Sequence, residues 1–427
     1  MPPTPKERLY RFLRWTERYT KTDMVYFAQG TFWLYVNFLA VNVLALGLSV
    51  AFARLLTKDV YGSYQYLLTI GSILGAFTLS GMNSALTRAV AQGHEGTIRA
   101  SIPVQLKYNA AASVLALAIA LYYFTQGNLT VAAGVLALGL FIPLVNTFNS
   151  HWSLFNGRKN FRMAFVFISV PAVIYTAVMF AALFFVKNPT LLIIANFGVN
   201  ALAAVGFFLF AMHRYRPNAD VDSDALSYGK HLSFANIIAS IAGQIDNLLV
   251  FHFLGAVDLA VYAFASTVPE KISSLLKGVS TLALPKFANR TTRELQDTML
   301  AKSMRYALLF LIAVLVYVAI APTLFALLFP QYGASVAYSD GYAFALLFST
   351  LPSVPLTALT ALGAQRQIYQ FNTVGSFISI GFMVALVIPF GIWGLIIARG
   401  GAGFVNYVLI LVLLNRVPAT RNETNLS

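Results

Sequence analysis

Charge is all but absent from twelve stretches of this chain, each about 20 residues long, the length of helix that crosses a bilayer. They lie near 25–53, 60–84, 108–125, 129–150, 163–186 and 189–212, then near 232–255, 259–284, 306–329, 338–361, 368–390 and 392–415. Several of the breaks carry turn chemistry: TQGN at 125–128, KNP at 187–189, PQYG at 330–333 and PFG at 389–391. Of the 427 residues, 58% are apolar and 10% charged, against about 25% charge in soluble domains, so the main solvent is lipid. The pattern predicts an all-α polytopic membrane protein.

Basic residues test the count. With the N-terminus inside, the inner segments hold 23 of the 29 lysines and arginines, and the outer loops hold Arg54, Lys58 and Lys187. One span more or fewer would scramble this alternation. The positive-inside rule therefore predicts twelve spans with both termini on the cytoplasmic side of a cell membrane. The net charge of +14 then belongs to a membrane face and not to a nucleic-acid surface.

The first 23 residues contain PKERLYRFLRWTERYTKTD, with Leu9, Phe12, Trp15 and Tyr19 at helical spacing between basic residues. They read as a basic amphipathic helix on the inner leaflet or a solvated basic tail, and not as a cleavable signal peptide. Residues 24–212 make a first lobe, 213–230 a linker, 231–415 a second lobe and 416–427 a tail. With no cysteine, and five histidines that lack HxxxH or HExxH spacing, neither a metal nor any other cofactor is expected.

The lobes echo one another. ARLLTKDVYGSYQYLLT (53–69) follows span one, and FHFLGAVDLAVYAFAST (251–267) follows span seven. Each places an aspartate in a short outer loop, Asp59 or Asp258, and a tyrosine early in the next span, Tyr64 or Tyr262. An even number of spans per repeat makes the repeats parallel, related by an axis along the membrane normal.

A charge at a span centre costs roughly 2.5–3.5 kcal/mol, so such residues usually face a bundle interior or water. Asp246, Glu270, Lys271, Lys277 and Arg399 lie inside spans. On span eight, Thr267, Glu270, Ser274, Lys277 and Thr281 form one polar stripe at spacings of three and four, with Lys271 to its side. On span seven, Asn236, Ser240, Gln244 and Asn247 form another, bordered by Asp246. Span one carries Gln29, Trp33 and Asn37, and span two carries Gln65, Thr69, Ser72 and Asn83.

These stripes predict a hydrated central cavity between two parallel six-helix lobes. The competing reading is interhelical hydrogen-bond glue, with Glu270 paired to Lys271 or Lys277. Arg399, within IIARGGAGF, either faces the cavity or pairs where small residues let helices cross. Pro143, Pro171, Pro269, Pro352 and Pro355 mark bends.

ARLLTKDVYGSYQYL with SGMNSALTRAVAQG, and QIDNLLVFHFLGAVDLAVYAFAS in the second half, resemble the signatures of the polysaccharide or O-antigen flippases of the MOP exporter superfamily, whose fold is MATE-like. The resemblance implies alternating-access movement of an undecaprenyl-pyrophosphate-linked oligosaccharide from the inner to the outer leaflet, for cell-surface polysaccharide biosynthesis. Lys277, Lys271, Glu270, Arg399, Asn37, Gln29, Asn247 and Ser274 are then the substrate-binding candidates. Asp246 and Glu270 are the coupling or gating candidates. The partners implied are the lipid-linked oligosaccharide, membrane lipids, and the polymerase and other proteins of that pathway.

A small-molecule exporter on the same fold is the nearest alternative. Span one has no acidic residue, however, whereas cation-coupled drug exporters of the superfamily typically place a carboxylate there. A membrane glycosyltransferase or polymerase would need acid and base residues near a sizeable solvent-side loop. The outer loops here are only a few residues long, so no enzyme is expected.

Overall fold

The computed structural model describes residues 24–281, 283–288 and 290–418, with side chains from Ala40 onward except at 235–236, 278–281 and 285. The basic segment 1–23 lies outside the described residues. The first half runs α1 Met24–Leu55, α2 Lys58–Ala76, α3 Met82–Ala91, α4 Thr97–Thr125, α5 Leu129–Phe148, α6 His151–Gly157, α7 Phe161–Phe185 and α8 Pro189–Tyr215. The second runs α9 Ser223–Ala242, α10 Ile245–Leu254, α11 Ala256–Thr281, α12 Leu284–Ala288, α13 Thr292–Leu328, α14 Ser335–Thr350, α15 Ser353–Ala361 and α16 Gln365–Asn415. No strand occurs among the described residues.

Eight helical rods among the described residues are long and apolar enough to cross a membrane. One of them, α16, contains two predicted spans. A straight helix of its 51 residues would run about 77 Å, more than twice the ~30 Å hydrocarbon core. It breaks at Gly391, just after Pro389, with φ 57 and ψ −134, a conformation that a side chain would disfavour. With α1, α2 and α11, which align with spans one, two and eight, the rods reproduce the twelve-span order. Their outer faces suit lipid: Leu202 is 76% exposed and Val114 68%.

Asparagine side chains start two of the helices. Asn128 and Asn160 each cap a helix, accepting from Val131 N at 3.1 Å and Met163 N at 3.2 Å. Spans two, four, seven and ten are themselves broken, at 77–81, 149–150, 243–244 and 351–352. The repeat is visible here. The break at 149–150 returns at 351–352, each followed by a short helix and then a left-handed residue, Lys159 (φ 58) or Gly363 (φ 65). Residues 223–230, read as linker from the sequence, form the first turns of α9.

The chain divides into two compact units. One holds the described residues through Ala51, Leu74–Val186 and Thr190–Ala235. The second holds Phe52–Ile73, Lys187–Pro189 and the described residues from Asn236 onward. Most of α2 thus clusters with the second half of the sequence.

The first unit packs Leu79, Met82, Leu86, Ile98, Phe155, Phe167 and Phe208 into one core. At one of its ends three loops are tied together. Arg158 donates to both Glu95 carboxylate oxygens at 2.6 Å and to Tyr215 O at 3.2 Å. Asn218 Oδ1 accepts from Glu95 N at 3.1 Å, and its Nδ2 donates to Gly93 O at 2.6 Å. These are the loops whose basic residues assigned them to one side of the membrane.

The Arg158 hydrogen bonds, opposed by partial burial and assisted by the Asn218 amide, hold the Glu95 carboxyl below its usual pKa. A depressed folded-state pKa adds stability above the ordinary carboxylate range, and that stability fades as pH falls through the folded value. Arg158→Ala is therefore expected to cost about 1 kcal/mol near neutral pH, the upper end for a surface pair. Thermal unfolding should show its gap from wild type narrowing below about pH 4. A gap that ignores pH would show that the pair is not its source.

In the second unit, Phe264, Phe325, Phe329, Tyr332 and Tyr342 are fully buried. The three basic residues that broke the charge rule are all engaged here. Arg54 donates to Leu327 O at 2.5 Å, and Lys187 donates to Leu55 O at 2.9 Å. Lys58 lies over the Tyr332 ring at 5.4 Å.

Candidate functional site

The second unit carries a charged cluster. Asp246 is the second residue of α10, a position where the helix dipole favours a carboxylate, and it is only 4% exposed. Its Oδ2 accepts from Arg399 Nη2 at 2.6 Å and from the Tyr262 hydroxyl at 2.8 Å, while Oδ1 accepts from Asn247 N at 2.9 Å. Arg399 Nη1 donates to Glu270 Oε1 at 3.1 Å, which also accepts from the Tyr342 hydroxyl at 2.6 Å. The guanidinium lies over the Tyr342 ring, 4.8 Å from its centre. One cation thus joins two carboxylates, and a tyrosine hydroxyl donates to each. A buried charge is tolerable when paired and hydrogen-bonded in this way.

Each helix brings one part. The α16 kink precedes the segment that carries Arg399, and Gly403 just beyond it lets the Ser349 backbone of α14 approach closely. The pairing alternative for Arg399 is therefore realised. The cation that Glu270 meets is Arg399, from a distant helix, and not a lysine of its own helix as the alternative sequence reading had it.

Arg399 also borders a cavity of about 500 Å³ lined by Lys277, Asn372, Ser376, Ser379 and Asn406. Asn406 Nδ2 donates to Gly375 O at 3.3 Å and Ser379 Oγ at 3.2 Å. Arg399 Nε is buried without a hydrogen-bond partner among the described residues. The site therefore presents cations among hydroxyls and amides, which suits an oxyanion.

Of the sequence candidates, the structure joins Asp246, Glu270 and Arg399 directly, and puts Lys277 on the cavity wall. Lys271 and Ser274 are exposed and are not part of that wall. Asn247 is half-buried and contributes its backbone N–H. The side chains of Gln29 and Asn37 lie outside the described residues. The sequence reading missed Tyr342, Asn372, Ser376, Ser379 and Asn406. The signal was available on span eleven, where Asn372, Ser376 and Ser379 fall at i, i+4 and i+7.

Several known proteins share this architecture. The structure titled "Lipid II flippase MurJ, inward closed conformation" superposes with a TM-score of 0.64 at 13% identity, covering 90% of this chain and 87% of that one. An inward-facing multidrug resistance MATE family transporter of the MOP superfamily gives 0.63 at 13% identity, over 89% of this chain and 96% of that one. Identities this low speak to the fold alone. No curated protein matches the sequence. The family described as "Polysaccharide biosynthesis protein" matches residues 27–291, well over half of the chain. The chain is a multi-pass membrane protein with the MOP exporter fold, and it belongs to the polysaccharide biosynthesis protein family.

Proposed function

We propose that the protein is a flippase that carries a polyprenyl-pyrophosphate-linked oligosaccharide from the inner to the outer leaflet of a cell membrane, with both termini inside. The observation that carries this reading is the cavity in which Lys277 and Arg399 stand among serines and asparagines. A pyrophosphate leaving water needs cationic donors, and Lys supplies a point charge for it. Family membership supports a glycan-linked substrate.

Two rival readings lose weight on the same geometry. The described cavity wall carries no carboxylate with which an organic cation could pair. A glycosyltransferase or polymerase needs a free acid or base, whereas Asp246 and Glu270 are both engaged by Arg399. Gating by these carboxylates remains part of the proposal, because cargo that attracts Arg399 competes with them for it.

Lys277→Ala tests the assignment in proteoliposomes loaded with fluorescent polyprenyl-pyrophosphate-linked sugars. Losing a charged hydrogen-bond partner should slow flipping about tenfold or more. Membrane insertion and thermal unfolding are measured alongside, so that lost transport by a folded, inserted variant is told apart from lost protein. Transport at the wild-type rate would sink the anion-site role.

A further inference from the structure

The first unit holds a second cavity of different chemistry. It occupies about 400 Å³, within the roughly 300–1,000 Å³ of small-ligand pockets. Asn83, Asn146, Asn149, Asn200, Trp152 and Tyr175 line it, and no lysine, arginine, aspartate or glutamate is among its described lining residues. The broken spans create it. Asn83 follows the break at 77–81, Asn149 lies in the one at 149–150, and Trp152 follows it. Irregular backbone at membrane depth is tolerated where it lines a cavity.

Interhelical glue accounts for this arrangement only in part. Fully paired glue is seen elsewhere in the unit, where Asn109 Nδ2 donates to Thr147 Oγ1 at 2.9 Å and Asn109 Oδ1 accepts from Leu79 N at 2.8 Å. The lining amides are satisfied only in part. Asn146 and Asn200 spend Nδ2 on Thr78 Oγ1 and Asn196 O, each at 2.8 Å. Asn83 Oδ1 is buried with no hydrogen-bond partner among the described residues. A buried acceptor without a partner is costly unless something else fills the site.

An amide offers both acceptor and donor atoms, which is what a neutral sugar hydroxyl requires. An indole provides an apolar face with one polar edge, suited to the C–H face of a pyranose ring. His151 also lies on the wall, its Nδ1 2.8 Å from Phe148 O, but the described lining has no lysine or arginine to offset the charge of a pyrophosphate. We propose that it is a neutral-saccharide subsite, holding part of the glycan of a lipid-linked cargo. The identity of the cargo rests on the flippase reading above; the binding chemistry does not.

The test separates the two. The chain has four tryptophans, so replacing Trp15, Trp33 and Trp393 by Phe leaves Trp152 as sole reporter. Neutral trisaccharides containing glucose, galactose or N-acetylglucosamine are titrated into this protein, with inorganic pyrophosphate as the charged control. At least one trisaccharide should change Trp152 emission saturably, pyrophosphate should not, and Asn83→Leu should weaken the response about tenfold or more, as losing a site's hydrogen-bonding group does. No response to any trisaccharide, or an equal response to pyrophosphate, overturns the subsite.

In proteoliposomes, Asn83→Leu should slow the trisaccharide-bearing lipid about tenfold more than its monosaccharide counterpart. Equal slowing of the two lipids counts against the subsite. If the wild type moves neither lipid, the flippase reading fails, and the Trp152 titration still decides whether sugars bind.

Discussion

Arg399→Ala is expected to destabilise the protein by about 3–5 kcal/mol, the usual result of removing one partner from a buried ion pair. Two carboxylates depend on this guanidinium. Asp246 has the more to lose, being 4% exposed and bonded to Arg399 at 2.6 Å. Glu270 loses less, since its side chain is 43% exposed and can turn to water. Asp246→Asn removes the charge but keeps an acceptor for the Tyr262 hydroxyl, so its cost should be nearer 1–3 kcal/mol (roughly that of one buried polar mismatch).

The double variant Asp246→Asn/Arg399→Ala should recover part of the Arg399→Ala loss, because no carboxylate is then stranded deep in the unit. Pairs in direct contact show coupling of about 0.5–3 kcal/mol. Thermal unfolding of purified protein in detergent measures all three variants. Additive losses would mean that Asp246 and Arg399 act independently, contrary to the geometry. A further outcome is informative: an Asp246→Asn protein that is stable but does not transport assigns the carboxylate to gating.

The span order was legible because the bilayer makes two strict demands. Spans must be long and nearly uncharged, and the charged remainder must alternate between sides. PFG at 389–391 announced its turn through proline and glycine, and Gly391 does break α16. The break at 149–150 had no such signal. Asn149 and Ser150 are common in turns, but what holds this one is local bonding, including Ser150 Oγ to Thr147 O at 2.8 Å.

The site was legible by parts only. The insertion cost of charge singled out Asp246, Glu270 and Arg399 individually. Their pairing crosses 153 and 129 residues of sequence, beyond the reach of helical periodicity. Periodicity offers only partners on the same helix, which is why a lysine of span eight stood as the alternative for Glu270. The grouping of 52–73 with the second half depends likewise on contacts between distant segments.

That grouping leads to the second large effect: Gly62→Val should undo it. A Cβ at Gly62 would overlap the Ala256 carbonyl, and the obstruction is backbone that no rotamer can move aside. The contacts around it are extensive. Tyr61 stacks on Phe264 with ring centres 4.6 Å apart, and Phe264 in turn packs on Tyr332 at 4.1 Å. Tyr64 is 1% exposed. Overpacking a tight core costs about 1–3 kcal/mol, and here the only relief is for α2 to withdraw from the start of α11.

The chain contains no cysteine, so Cys introduced at Tyr61 and Phe264 would be the sole pair open to a short bifunctional thiol reagent. Cross-linking should be efficient with Gly62 present and should fall about tenfold in Gly62→Val, the equivalent of 1.4 kcal/mol. Undiminished cross-linking would show that the close approach is dispensable. The proposed transport cycle has to make and break helix contacts at each turn. A valine that holds this contact open should therefore slow transport in proportion to the lost cross-linking, while Lys277, elsewhere in the same unit, keeps its place on the cavity wall.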